Sequence, residues 1–207
     1  PIGSRGLGDV YKRQVLFEPI RLEFAVSDTQ MGLLGGLSFA LFYATLGVPI
    51  ARLADRQQRR LIIVFSLALF SLMTAMSGLA TSFLLLFLFR IGVGIGEAGV
   101  NPASQSIIAD YYPKHRRGMA MSVLAVGAPV GMMCGFLIGG TVSEYYGWRA
   151  ALYAVGLPGL VLAVVMFFLL REPVRGNSDE PSGTHSNTES PGFLASVRFM
   201  FTNPAMR

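Results

Sequence analysis

Residues 83–117 read FLLLFLFRIGVGIGEAGVNPASQSIIADYYPKHRR, and two folds compete for that stretch. Gly94 to Gly99, GIGEAG, is a literal match to the dinucleotide-binding fingerprint, whose glycines let the chain turn tightly and approach a pyrophosphate. That pattern works only between a strand and the helix it opens, inside a soluble βαβ unit. Here it lies within an apolar run from Phe83 to Ala109, longer than the ~20 residues a helix needs to cross ~30 Å of hydrocarbon. The run closes on Asp110 and then on Lys114, Arg116 and Arg117, a basic cluster of the kind that marks the cytoplasmic end of a span. A transmembrane helix is the reading adopted, and a soluble dinucleotide enzyme becomes the disfavoured alternative.

Working outward, Met31–Ala51, Leu61–Ala80, Met119–Val142 and Ala150–Leu170 are apolar runs of comparable length, so five spans are predicted. Composition agrees, with 52% hydrophobic and 14% charged residues against about a quarter charged in soluble domains. The net charge of +5 does not point to nucleic acid, because the basic residues sit in short clusters between apolar runs and form no stripe. Arg52, Arg56, Arg59 and Arg60 follow the first span, only Thr81 and Ser82 separate the second from the third, and Arg171 and Arg175 follow the fifth. The positive-inside rule then puts residues 52–60, 111–117 and everything after Arg171 in the cytoplasm, with a bacterial inner membrane as the expected bilayer. Trp148 with Tyr145 and Tyr146 fits an aromatic anchor at the outer interface.

The ends read differently. Glu172 to Gly192 is rich in Ser, Gly, Pro, Asn, Thr and acids and reads as a flexible cytoplasmic linker, while Phe193, Leu194, Val197, Met200 and Phe201 have the spacing of a short amphipathic surface helix. Residues 172–207 thus form a central linker segment. Asp9 to Gln14, DVYKRQ, resembles the translation of a transposase end sequence used in preparing sequencing libraries. Residues 1–14 are accordingly set aside as an assembly artefact, and 15–171 are taken as the folded part.

Glycine patterns the spans. Gly127, Gly131, Gly135 and Gly139 recur every fourth residue and form one helical stripe where a neighbouring backbone can approach. Gly32 and Gly36, and Gly92 and Gly96, read as similar packing seams. Pro129 and the pair Pro158 and Gly159 are expected to kink their helices. The single cysteine, Cys134, has no intrachain partner, and His115 among Lys114, Arg116 and Arg117 reads as a solvated loop residue. No Cys and His grouping has metal spacing, so neither metal nor cofactor is expected.

These features together resemble the major facilitator superfamily. Ala51 to Arg60, ARLADRQQRR, is similar to its Gly-x-Leu-x-Asp-Arg-x-Gly-Arg-Arg loop between helices two and three. Ala51 and Gln58 replace two glycines, and Asp55, Arg56, Arg59 and Arg60 remain. Arg90 followed by Gly94 resembles the fourth-helix signature, and Gly127 to Gly131, GAPVG, with Gly139 and Gly140 resembles the fifth-helix Gly-Pro signature. The resemblance implies an all-α, polytopic transmembrane bundle: the N-terminal six-helix half of the fold, with helices two to six present and helix one and the C-terminal half missing. SDTQMGLLGGLSFALFYA, RIGVGIGEAG, YGWRAALY and LPGL are similar to the spinster-like branch. Animal members of that branch move lysolipids and sphingosine phosphate, which implies a small-molecule or lysolipid-like substrate, and bacterial members are regarded as proton-coupled exporters.

Arg90 and Glu97 are the charges inside a span. At 100° per residue they share a helix face, ~10.5 Å apart along the axis, and ionisable groups at membrane depth cost at least ~2.5 kcal/mol each unless they face a cavity or a partner. The resemblance implies that Glu97 carries the proton, with Arg90 as its electrostatic partner or a ligand for a substrate anion. A structural alternative stays open: Arg90 near Ser82 could snorkel to the interface. In the superfamily the aspartate matching Asp55 caps a helix of the other half when the cytoplasmic side is shut, and the arginine matching Arg59 pairs with the acid matching Asp110. The basic residues also suffice as topology determinants. The sequence therefore points to a proton-coupled secondary transporter working by alternating access, with a non-transporting scaffold or receptor of the same fold as the alternative.

Overall fold

A computed structural model describes residues 16–173, and the side chains of residues 37–39, 48 and 51–56 lie outside that description. Residues 1–14 and 174–207, read above as artefact and as linker with amphipathic tail, are not among the described residues, and neither are the side chains of Asp55 and Arg56. Every regular element among the described residues is helical. Helix α1 spans Phe17–Phe24 and stops at Ala25, whose left-handed φ of 50° lets its N–H return to the Arg21 carbonyl. Ser27 then opens α2, Asp28–Gly32, by a capping box: its hydroxyl accepts from the Gln30 N–H at 3.3 Å, and Gln30 Oε1 accepts from the Ser27 N–H at 2.8 Å. A π turn over Leu33–Leu37 links α2 to α3, Ser38–Arg56. Helices α4, Arg59–Ser77, α5, Phe83–Tyr111, and α6, Lys114–Leu169, are the remaining helices of the described residues.

Helix α6 is continuous apart from Gly147, whose φ of 84° and ψ of 166° are not helical and fall in a region open essentially to glycine alone. Its 56 residues would run ~84 Å if straight, far beyond one bilayer. Gly139 and Val155, equally distant from Gly147 in sequence, are in van der Waals reach, so the chain folds back there into two arms. The expected fourth and fifth spans are these arms, and the loop expected between them shrinks to one residue. The non-helical position is Gly147, while Pro129 and Pro158 sit inside helix. Trp148 is 4% exposed and therefore a core residue, whereas Tyr145 and Tyr146 stand free at 78% and 77% exposure.

The helices pack in the spatial order α3, α5, α4, second arm of α6, so α5 inserts between two helices adjacent in sequence. One end of the bundle gathers Arg59, Asp110 and Glu172 and is called here the arginine end. The opposite, tryptophan end gathers Ile20, Met31, Leu34, Ala80, Leu86, Trp148 and Leu152. Contact along α4 is backbone-close on both sides. A Cβ added at Gly96 would lie 2.7 Å from the Phe70 nitrogen and 2.9 Å from the Ser66 oxygen. One added at Gly156 would lie 2.7 Å from the Ala75 nitrogen and 2.9 Å from the Ser71 oxygen. The seam expected at Gly92 and Gly96 thus lies against α4, with Met73 over Gly92, and Gly156 with Gly159 adds one that the spacing did not announce. By contrast, nothing described lies within 4 Å of a Cβ built at Gly32, Gly36, Gly127, Gly131 or Gly135.

These contacts set opposite expectations for one substitution. Gly96→Ala puts a methyl against backbone that cannot rotate away and should destabilise by about 1–3 kcal/mol. Gly131→Ala meets open space and gains helix propensity, so stability should hold or rise slightly. Thermal unfolding in detergent, followed by helical ellipticity, compares them; equal losses would show that Gly96 is not a seam.

Candidate functional site

At the arginine end, α4 begins with Arg59, buried to 3% exposure. Its Nη1 donates to Asp110 Oδ2 at 2.5 Å and to Ser106 Oγ at 2.9 Å on α5, and its Nε donates to Glu172 Oε1 at 2.9 Å beyond α6. One planar guanidinium therefore joins the ends of three helices, which its fixed fork of donors makes possible. The Arg60 backbone N–H donates to Glu172 Oε2 at 2.7 Å, and the Arg60 guanidinium lies 5.1 Å over the Phe167 ring and donates to the Phe167 carbonyl. The structure thus brings Arg59, Asp110 and Arg60 together. Glu172, read from composition as the first residue of a linker, is instead a full member of the cluster. Burial alone would push the Glu172 carboxyl up, but the Arg60 N–H and the Arg59 guanidinium outweigh it and hold the group below the usual carboxylate range.

Mid-bundle, α5 is two-faced. Gly92, Gly96 and Gly99 face α4 and its neighbour Ile50, while Arg90, Glu97, Asn101 and Ser104 fall within an arc of about 60° on the other side at 100° per residue. Glu97 and Asn101 are exposed, Arg90 and Ser104 half-buried. Glu97 is the central residue of α5, about 21 Å from either end. Asn101 Nδ2 donates to the Tyr43 hydroxyl of α3 at 3.3 Å, so a second helix contributes to this polar face. Arg90 and Glu97 are two turns apart, as their spacing requires, and neither has an ion pair or hydrogen bond among the described residues. Tyr43 and Asn101 were missed from sequence, although Asn101 follows Glu97 by one helical turn. A carboxylate at mid-height cannot face lipid without the cost noted above, so this face suits a water-filled cavity or a helix bearing polar groups.

The fold, the arginine cluster and the polar face can be set beside known proteins. The sequence model of the Major Facilitator Superfamily matches residues 14–206. The chain belongs to that superfamily. An MFS-type efflux pump of Mycolicibacterium smegmatis is 32% identical over 169 residues, covering 82% of this chain and 39% of the relative. A probable L-galactonate transporter of Escherichia coli is 31% identical, covering 90% of this chain and 42% of the relative. Protein spinster homolog 1 of Xenopus tropicalis is 31% identical, covering 90% and 35%. Crystal structures of a bacterial homolog to the human lysosomal transporter Spinster are also similar. The inward-facing occupied form has 41% identity and a TM-score of 0.72 over 80% of this chain and 41% of that one. The inward-facing unoccupied form has 38% identity and a TM-score of 0.77 over 92% and 45%. This superfamily chain is therefore an integral membrane protein similar to the spinster-like branch, and it spans 35% to 42% of the length of these curated relatives.

In this superfamily member the Arg59 cluster also predicts a stability pattern. Arg59→Met leaves Asp110 and Glu172 facing each other without their cation and should cost about 3–5 kcal/mol. Asp110→Asn should cost less, because Glu172 still compensates Arg59, and Asp110→Asn with Glu172→Gln should cost more than the two singles summed. Since Glu172 titrates lower in the folded state, its contribution is complete above the usual carboxylate range and is lost as pH falls through the depressed value. Unfolding in detergent across pH measures both effects; strict additivity would show that the two acids do not share Arg59.

Proposed function

We propose that this chain is part of a proton-coupled secondary transporter that moves small organic or lipid-like molecules by alternating access. The observation that carries the reading is Glu97, a carboxylate at the centre of a membrane-length helix, exposed on a polar face and without a described ion pair. Protonation removes the cost of a charge at that depth and so permits a switch between states, whereas a permanently charged or neutral residue would uncouple it. Arg90, half-buried two turns along the same face, supplies a cation for a substrate anion or a field on the acid. Tyr43 and Asn101 extend the face with neutral hydrogen-bonding groups. The similarity to an MFS-type efflux pump and to a probable L-galactonate transporter supports transport as the class of activity.

In this reading the arginine end is cytoplasmic, in keeping with the positive-inside bias of residues 52–60 and 111–117, and the membrane is a bacterial inner membrane. Asp55, Arg56, Arg59, Arg60 and Asp110 form the cytoplasmic gate, with Glu172 added as the second acid on Arg59. The bare stripe of Gly127, Gly131 and Gly135, with Pro129 on the same arm, offers a smooth face to a helix of the other half, while Gly139 stays near the Gly147 turn. The substrate pocket of such a fold lies between two halves near the midplane, where Glu97 sits along its helix.

Two measurements on a complete transporter test this. Glu97→Gln keeps size and hydrogen bonding but cannot ionise; in reconstituted vesicles it should abolish accumulation driven by a pH gradient while leaving the protein folded. Wild-type accumulation by this variant would move the proton site elsewhere. Asp55→Asn removes a charge proposed to stabilise only the state closed to the cytoplasm and should shift the population toward inward-open by about 1–3 kcal/mol. Thiol labelling of cysteines placed on the α5 polar face reports that shift, and unchanged labelling on both sides would reduce Asp55 to a topology residue.

A further inference from the structure

Helix α1 lies across the tryptophan end of the bundle and meets it through two dissimilar faces. On one face Ile20, 1% exposed, enters the core formed by Ala80, Leu86, Trp148 and Leu152. Beside it the Glu23 carboxylate accepts from Trp148 Nε1 at 2.7 Å and from Arg149 Nη1 at 2.7 Å. Arg149 donates in turn to the Ala80 carbonyl at 2.9 Å, in the turn between α4 and α5, and stacks 4.3 Å over the Trp148 ring. Phe24 completes the contact edge-on to Trp148 at 6.0 Å. One acid on α1 thus grips the first two residues after the Gly147 reversal and, through Arg149, the neighbouring helical turn.

The other face of α1 borders open space. Phe17, Glu18 and Arg21 line an open cavity of about 480 Å³ whose opposite wall is Asp28, Met31, Gly32, Gly35 and Gly36. The Phe17 ring rests on Gly35 so closely that no Cβ would fit there, and Gly35 lies in the π turn, the irregular part of the first span. Such π turns are adaptable segments and are common at functional sites. Across this side Arg21 reaches Asp28 at 3.4 Å, and with the Asp28 side chain 89% exposed such a pair is worth little.

We propose that α1 is a latched lid: while Glu23 holds Trp148 and Arg149 the lid is shut on the core, and when that grip is lost α1 lifts from Trp148 and from the π turn beneath Phe17. The charged groups around the latch are Arg149 from α6, Glu18 and Arg21 on α1 itself, and Asp28 from α2 facing Arg21. The turn between α4 and α5 contributes the Ala80 carbonyl. Hydrogen bonds from Arg149 and Trp148 hold Glu23 below the usual carboxylate range. The latch is therefore complete above that range, persists through neutral pH, and opens as pH falls through the depressed value.

Trp148 is the single tryptophan of the chain, so its emission in the full chain, purified in detergent, reads the latch directly. Glu23→Gln should shift that emission to the red and raise acrylamide quenching several-fold while helical ellipticity and the thermal transition stay at wild-type values. Glu18→Gln, on the same helix but away from Trp148, should change neither. Acidification of the wild type should reproduce the Glu23→Gln spectrum reversibly, and the variant itself should show no further change. Trp148 equally shielded in Glu23→Gln and in acid would overturn the lid. So would exposure that comes only with loss of helicity or of the thermal transition, since Glu23 would then serve the fold alone.

Discussion

The arrangement of the helices rests on how closely α4 is approached from both sides. In hydrocarbon, apolar side chains gain nothing by leaving lipid for one another, so association depends on packing density and backbone approach. Gly96 on α5 and Gly156 on α6 supply that approach at backbone atoms of α4. Ser66 and Ser71 on α4 fill the notches opposite Gly99 and Gly159. Larger residues at either glycine would push a neighbour away and, with it, the polar face of α5 that the opposite seam orients. The spatial order of the helices, and the direction in which Glu97 points, follow from the same contacts.

Charge is distributed by height along the bundle. At the two ends charged groups are paired: Arg59 with Asp110 and Glu172 at one, Glu23 with Arg149 at the other. Between the ends Arg90 and Glu97 stand without ion pairs among the described residues. Paired charges near an interface stiffen a structure, because each holds backbone from more than one helix. An unpaired carboxylate at depth does the opposite and stores a cost that protonation relieves. Paired ends around an unpaired middle are the arrangement that the proposed proton-coupled reading requires.

The two ends also differ in kind. Arg59 is nearly sealed from solvent, and it ties its own helix to α5 and to the segment after α6, so its loss would be felt through the whole arginine end. The Glu23 contact is partly exposed, with side-chain exposure of 41% for Glu23 and 38% for Arg149, and is worth correspondingly less. That difference leaves the tryptophan end the easier one to open without unfolding the bundle.

By itself the amino-acid sequence determined the all-α membrane fold, the membrane-length helices and the charged positions, because apolar run length and the placement of basic residues are local quantities set by bilayer thickness and by topology. The pairing of Arg59 with Asp110 was legible as a resemblance, and the Gly92 and Gly96 seam as a spacing. Tertiary structure alone decided the rest. The reversal at Gly147 needs one residue of unusual φ that composition does not mark, and it turned Trp148 from an expected interface anchor into core. Glu172 looked like linker because its neighbours are linker-like in composition, yet its environment is made by Arg59 and Arg60, more than a hundred residues earlier. Tyr43 and Asn101 became part of one face, because helix periodicity gives direction about one axis and says nothing of which helix comes to lie opposite.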